Sequence, residues 1–158
     1  MKTSKSKASK PSRAGCKKIL VAVDFSNPSR QSLQQAAQLA QAFGAELCLA
    51  YVVEPVPFIS GAHTDPLMMS DQKFAALAAT KLERVAADEI PSGVNVTTKV
   101  LRGRAHKEIA AFAKRWPADL IVIATHGYTG LKHAFLGSTA EAVVRYAPCP
   151  VLVTRRRQ

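Results

Sequence analysis

No apolar run in this 158-residue chain approaches the roughly 20 residues needed to cross a bilayer, so no membrane span is expected. The N-terminus has basic residues but no apolar stretch behind them, which excludes a secretory signal. It is Ser-rich and acid-poor, yet it lacks the amphipathic periodicity of a transit peptide. Only three cysteines are present, Cys16, Cys48 and Cys149, and they form no CxxC. An odd, scattered set is neither a disulfide framework nor a metal site, and a reduced, cytoplasmic protein is the expectation. His63, His106 and His133 show no ligand spacing, so no metal centre is expected. There is no GxxxxGK[ST], so the usual phosphate-cradling lysine is missing. A Ser-His-Asp or Cys-His set in recognisable context is missing too.

What is present in excess is positive charge, and it is unevenly placed. The formal net charge is +11, but residues 1–18 hold seven Lys/Arg and no acid, while the other 140 residues sum to +4. Arg155-Arg156-Arg157 adds a basic tip at the opposite end. Residues 1–16, made of Lys, Ser, Ala and Pro without core formers, read as a disordered basic leader, and residues 17–158 as one domain. The leader is either a solvated tail or a tether for nucleic acid or another acidic surface. The tail reading is favoured, because no aromatic residues interleave with the charges as base-stacking platforms would.

Apolar residues make up 47% of the chain, and their periodicity alternates between two kinds of element. Continuous apolar runs at Lys17–Val23, Glu46–Val53, Leu120–Ala124 and Val151–Thr154 read as strands buried on both faces. Val94–Leu101 alternates Val94, Val96, Thr98 and Val100 against polar neighbours, which predicts an edge strand with one wetter face. Between them lie four helical patterns. The first has Asn27 as cap, Pro28 at its first position, an inward stripe of Leu33, Ala36, Ala37 and Ala40, and a stop at Gly44. The second runs from about Asp71 to Glu89, with Phe74, Leu77, Ala78, Leu82 and Val85 on one face. The third turns Ile109, Phe112 and Ala113 inward, and the fourth, starting near Ser138, Ala140, Val143, Val144 and Ala147. The segment Glu54–Ser70, with three prolines and a glycine, is long enough to be a lid or a surface excursion. Alternating strands and helices of this length predict an α/β domain with a doubly wound parallel sheet and helices on both faces. Ligands of such sheets bind beyond the carboxyl ends of the strands, where strand order reverses.

The residues placed there carry the functional reading. After the fourth strand comes a loop with Gly127, Gly130 and Gly137, then the helix start Ser138-Thr-Ala-Glu141. Strand end, Gly-containing loop and helix N-terminus in that order suit an anionic ligand, because free N–H groups converge and the helix dipole favours negative charge. Ser138 and Thr139 add hydroxyls, although Ser-x-x-Glu is also a capping box in which Ser138 serves only its own helix. Asp24, after the first strand, is either a ligand contact or a turn-former bonding nearby N–H groups, and Asn27 as the cap would leave it freer for a ligand. His126 either meets a phosphate or is a loop histidine held by backbone. Lys132 and Arg104 offer counter-charge, with solvated basic residues as the plainer reading.

Four segments together resemble the universal stress protein family over about residues 17–155: Ile19–Ser26, Ala124–Gly130, Leu136–Glu141 and Ala147–Val153. The resemblance implies a Rossmann-like, five-stranded sheet of order 3-2-1-4-5 and a homodimer through the last strand. Nucleotide-binding members carry Gly, two residues, Gly, nine residues, Gly, then Ser or Thr. Here Gly127, Gly137 and Ser138 match and Ala124 stands in the first position. The resemblance implies an ATP site in which Gly127, Gly130, Gly137, Ser138 and Thr139 hold phosphates and ribose. Asp24 and the Val52 backbone would take the base and sugar side, with Ala22, Val23, Ala124 and His126 beside them. Mg2+ would arrive with the phosphates. The activity expected is a nucleotide-dependent stress-response switch or scaffold, with at most slow ATP hydrolysis or autophosphorylation. The other readings are a nucleotide-free homodimeric scaffold and a nucleic-acid-associated protein acting through the leader.

Overall fold

The computed structural model describes residues 15–55, 71–125 and 136–155. Most of the leader, the segment 56–70, the loop 126–135 and the final three residues lie outside the described residues. In chain order the elements are β1 (Lys18–Ala22), α1 (Asn27–Phe43), β2 (Glu46–Val53), α2 (Asp71–Glu89), β3 (Val96–Arg102), α3 (Ala105–Arg115), β4 (Leu120–Ala124), α4 (Ser138–Tyr146) and β5 (Val151–Thr154). The sheet has five parallel strands in the order β3-β2-β1-β4-β5, as expected. β3 is an edge strand, and its alternating burial follows its alternating sequence.

Each face of the sheet has its own core. On one side Ile19, Val21, Leu47 and Leu49 pack with Leu33, Ala36, Ala37 and Ala40 of α1 and Leu82, Val85 and Ala86 of α2. On the other Leu20, Cys48, Ala50, Ile121 and Ile123 pack with Ile109 and Ala113 of α3 and Ala140 and Val143 of α4. Successive strand side chains point to opposite faces, so apolar runs without polar interruption supply both cores at once. At the amino edge, Asp119 Oδ2 accepts from the N–H groups of Lys17 (2.8 Å) and Lys18 (2.9 Å), which ties the start of β1 to the start of β4.

Helix ends show where local sequence patterns misplace a boundary. Gly44 stops α1 in the left-handed conformation at φ 65°, as anticipated. The cap at the other end is Ser26, not Asn27: its Oγ accepts from the Ser29 N–H at 3.3 Å, and Asn27 is the first helical residue. In α2, Ala78, Leu82 and Val85 are buried as expected, but Phe74 and Leu77 are 45% and 57% exposed, so the sheet covers only the later part of that stripe. Val144 of α4 is likewise exposed, whereas Ala140 and Val143 are buried.

Candidate functional site

β1 and β4 are neighbours, but the chain leaves their carboxyl ends toward opposite faces, β1 into α1 and β4 into α4. That divergence opens a crevice between the two strand ends. It holds a cavity of about 270 Å³. Ala22, Val23 and Asp24 line it from the end of β1, Ala50, Tyr51 and Val52 from β2, and Ile123, Ala124 and Thr125 from β4. Ser29 of α1, Ala105 and Ile109 of α3, and Gly137, Ser138, Thr139 and Ala140 at the start of α4 complete the wall. Eight of the residues singled out from sequence thus share one cavity: Ala22, Val23, Asp24, Val52, Ala124, Gly137, Ser138 and Thr139. His126, Gly127 and Gly130 lie outside the described residues.

The turn after β1 is built around a left-handed residue. Phe25 sits at φ 64°, a conformation that costs a non-glycine residue about 1 kcal/mol or more. Its ring packs on Tyr51 at 4.7 Å between centroids, and Lys81 Nζ lies 4.3 Å from its centre, so apolar and cation–π contacts hold the turn in place. This turn aims Asp24 Oδ1 at the Ser26 N–H (2.9 Å) and Ser26 Oγ (2.6 Å), while Ser29 Oγ accepts from the Asp24 N–H at 3.1 Å. Asp24 is therefore not relieved of turn duty, as a cap at Asn27 would have allowed. One oxygen holds the Ser26 cap, and the residue lines the cavity as well. Burial, helped by the Asp24 charge, pushes the Tyr51 phenol above its ordinary value, so it stays protonated at neutral pH.

The far side of the cavity is the neck of the loop 126–136. Thr125 is buried; its N–H donates to the Thr154 carbonyl (2.9 Å), and its carbonyl accepts from the Gly137 N–H (2.8 Å). The second bond ties Gly137 to the end of β4. Gly137 is then the N-cap of α4, with φ −59° and ψ 146°, and among the described residues no side chain caps the helix. The Ser-x-x-Glu pattern does not act as a capping box here. Ser138 is the first helical residue, both it and Thr139 are exposed, and Glu141 instead pairs with Arg145 at 2.9 Å. Ala124 is an ordinary strand residue outside the positive-φ set, so the backbone freedom of a glycine is not needed there.

Three helix N-termini, those of α1, α3 and α4, border the cavity, and two are satisfied by their own chain. Ser26 caps α1, and Glu54 Oε1 accepts from the Ala105 N–H of α3 at 2.7 Å. Among the described residues the α4 N-terminus has no such side-chain partner. Sequence reasoning did not single out Ser29, Thr125 or Glu54. The first two are short polar residues whose roles depend on contacts with Asp24 and Thr154, and Glu54 acts across 51 residues on α3.

The universal stress protein family model matches residues 15–155. Universal stress protein MJ0531 of Methanocaldococcus jannaschii is 35% identical over 140 residues, covering 89% of this chain and 82% of that protein. The solved structure of MJ0577 from the same organism superposes with a TM-score of 0.77 at 28% identity, covering 91% of this chain and 99% of that one. Two solved universal stress proteins share the fold at lower identity. One, in complex with cAMP, has a TM-score of 0.65 at 20% identity, covering 89% of this chain and 98% of that one. The other, from Archaeoglobus fulgidus in complex with dAMP, has a TM-score of 0.55 at 21% identity, covering 87% and 96%. The chain belongs to the universal stress protein family.

Proposed function

We propose that the cavity binds an adenine nucleotide, ATP with Mg2+ carried on its phosphates, and that occupancy makes the protein a nucleotide-dependent stress-response switch or scaffold. The observation that carries this reading is the contrast among helix N-termini at one cavity. Those of α1 and α3 are filled by Ser26 and Glu54, and that of α4 ends on Gly137 with no side-chain cap among the described residues. An uncapped N-terminus presents free N–H groups and a partial positive charge of about half an elementary unit, the features an anionic group needs. The described residues fit such a ligand: glycine at 137 allows close approach, Ser138 and Thr139 offer hydroxyls, and small side chains at Ala22, Ala50, Ala124 and Ala140 leave room for the nucleoside. The phosphates then lie at α4, and the base and sugar lie toward Asp24 and Val52. The cAMP and dAMP complexes of fold relatives support the ligand class.

Asp24 is the one carboxylate lining the cavity among the described residues, and it already holds Ser26, which fits slow turnover or none. We further propose a homodimer through β5, an edge strand with exposed Leu152. Nucleotide released on denaturing fresh protein, and calorimetric titration of stripped protein with Mg-ATP, test the site. Bound adenine nucleotide supports it; no heat at millimolar ATP rejects it and leaves a nucleotide-free scaffold. Sedimentation tests the dimer, which predicts a species of twice 17.0 kDa at micromolar concentration.

A further inference from the structure

We infer that Arg155 supplies the counter-charge at the phosphate end of the cavity, and that the site therefore selects nucleoside polyphosphates over monophosphates. This rests on the adenine-nucleotide reading of the same cavity. Among the described residues the cavity wall contains Asp24 but no lysine or arginine. A helix N-terminus is worth about half a positive charge, enough to favour one phosphate and too little to balance three. Even with Mg2+ carried on its phosphates, a nucleoside triphosphate keeps a net negative charge that half a unit does not balance, which calls for a protein cation from outside the wall.

The backbone puts one beside it. Thr154 pairs with Ala124 in register, and the Thr125 N–H bonds the Thr154 carbonyl, so the peptide leading to Arg155 is anchored on a residue of the cavity wall. The same Thr125 holds Gly137, the N-cap of α4. On the next residue back, the Thr154 hydroxyl meets Ser32 Oγ of α1, on one face of the sheet, while Val153 packs against the core on the α3/α4 face. β5 ends at Thr154, and the same alternation carried one residue further would return Arg155 to the face of Val153, the face on which α4 begins. Neighbouring strands stand about 4.8 Å apart, a gap an extended arginine side chain exceeds. Arg155 is exposed and makes no ion pair among the described residues. Of the two basic residues singled out from sequence, Lys132 lies outside the described residues, and Arg104 is less suited, because it precedes a helix whose N-terminus already holds the Glu54 carboxylate.

The test is calorimetric titration of the full chain and its variants with adenosine, AMP, ADP and ATP at low salt. For Arg155→Ala the loss should grow with phosphate count: within twofold for adenosine, and about tenfold for ATP, as expected for one charge-assisted contact. Added salt should shrink the ATP loss. Arg156→Ala removes the same charge one residue later and should cost ATP less than twofold. The inference is overturned if Arg155→Ala leaves the ATP-to-adenosine ratio unchanged, or if Arg156→Ala matches its effect, which would mean diffuse tail charge. It is overturned equally if Arg155→Ala weakens adenosine and ATP alike while sedimentation shows a changed assembly. Wild-type protein that binds neither adenosine nor ATP would reject the nucleotide site itself, a separate outcome.

Discussion

α3 and α4 start at the same edge of the sheet, against the same cavity, and pack on the same face, yet their N-termini are finished differently. α3 draws a carboxylate from 51 residues away, Glu54, onto its first N–H. α4 follows its cap Gly137, whose own N–H is spent on Thr125, and has no side-chain cap among the described residues. A capped N-terminus contributes to stability, whereas an uncapped one gives up that stability and keeps its N–H groups for something else. The difference separates a helix end that belongs to the fold from one available for binding.

Substitutions can break this comparison from either side. Gly137→Val should have the largest effect. Valine accepts φ −59° and ψ 146° without strain, so the fold should persist, while its side chain blocks approach to α4 and weakens nucleotide at least about thirtyfold, or roughly 2 kcal/mol by titration. Ser26→Ala should come next, at about 1–2 kcal/mol by denaturant unfolding, because it removes the α1 cap and one of the two hydrogen bonds that Asp24 Oδ1 accepts. Glu54→Ala should cost about 1 kcal/mol in the same assay, the usual worth of a lost N-terminal partner. Ser138→Ala should be the mirror image: within about 0.5 kcal/mol in stability, since the hydroxyl caps nothing, but with nucleotide affinity reduced about threefold. A Ser138→Ala that destabilised as much as Glu54→Ala would erase the distinction.

The smallest effect concerns pH. Burial first, and Asp119 second, push the Cys16 and Cys149 thiols above the ordinary 9.0, and Cys48 is raised chiefly by burial. The folded chain holds thiol protons that the unfolded chain releases. Stability from these groups is therefore fully present below pH 9.0 and declines as pH rises toward the folded values. Replacing Cys48 by Ala should flatten that decline, as read by denaturant unfolding at pH 8 and pH 10.

The strands, their parallel pairing and the inward stripe of α1 were legible because hydrophobic periodicity is local and shows which faces must leave water. The cavity was legible in outline, since Asp24, Ala124 and Gly137 fall at strand ends that this topology brings together. Periodicity did not reveal how far the sheet extends under each helix. Phe74 and Leu77 continue the α2 stripe but are exposed, and Val144 does the same in α4. Caps were misread for a related reason. Asn27-Pro28 and Ser138-x-x-Glu141 both fit the capping rules, but the backbone turn at Phe25 moved one boundary to Ser26, and the bond from Gly137 to Thr125 moved the other to Gly137.

The amino-acid sequence by itself determined the element order, the doubly buried strands and the small residues near the crevice, because those follow from side-chain period and volume along a short stretch of chain. Only the tertiary structure decided which helix N-terminus stays open. That choice turns on hydrogen bonds between residues far apart in the chain, Glu54 with Ala105 and Thr125 with Thr154, which form only once the sheet has brought the strand ends together.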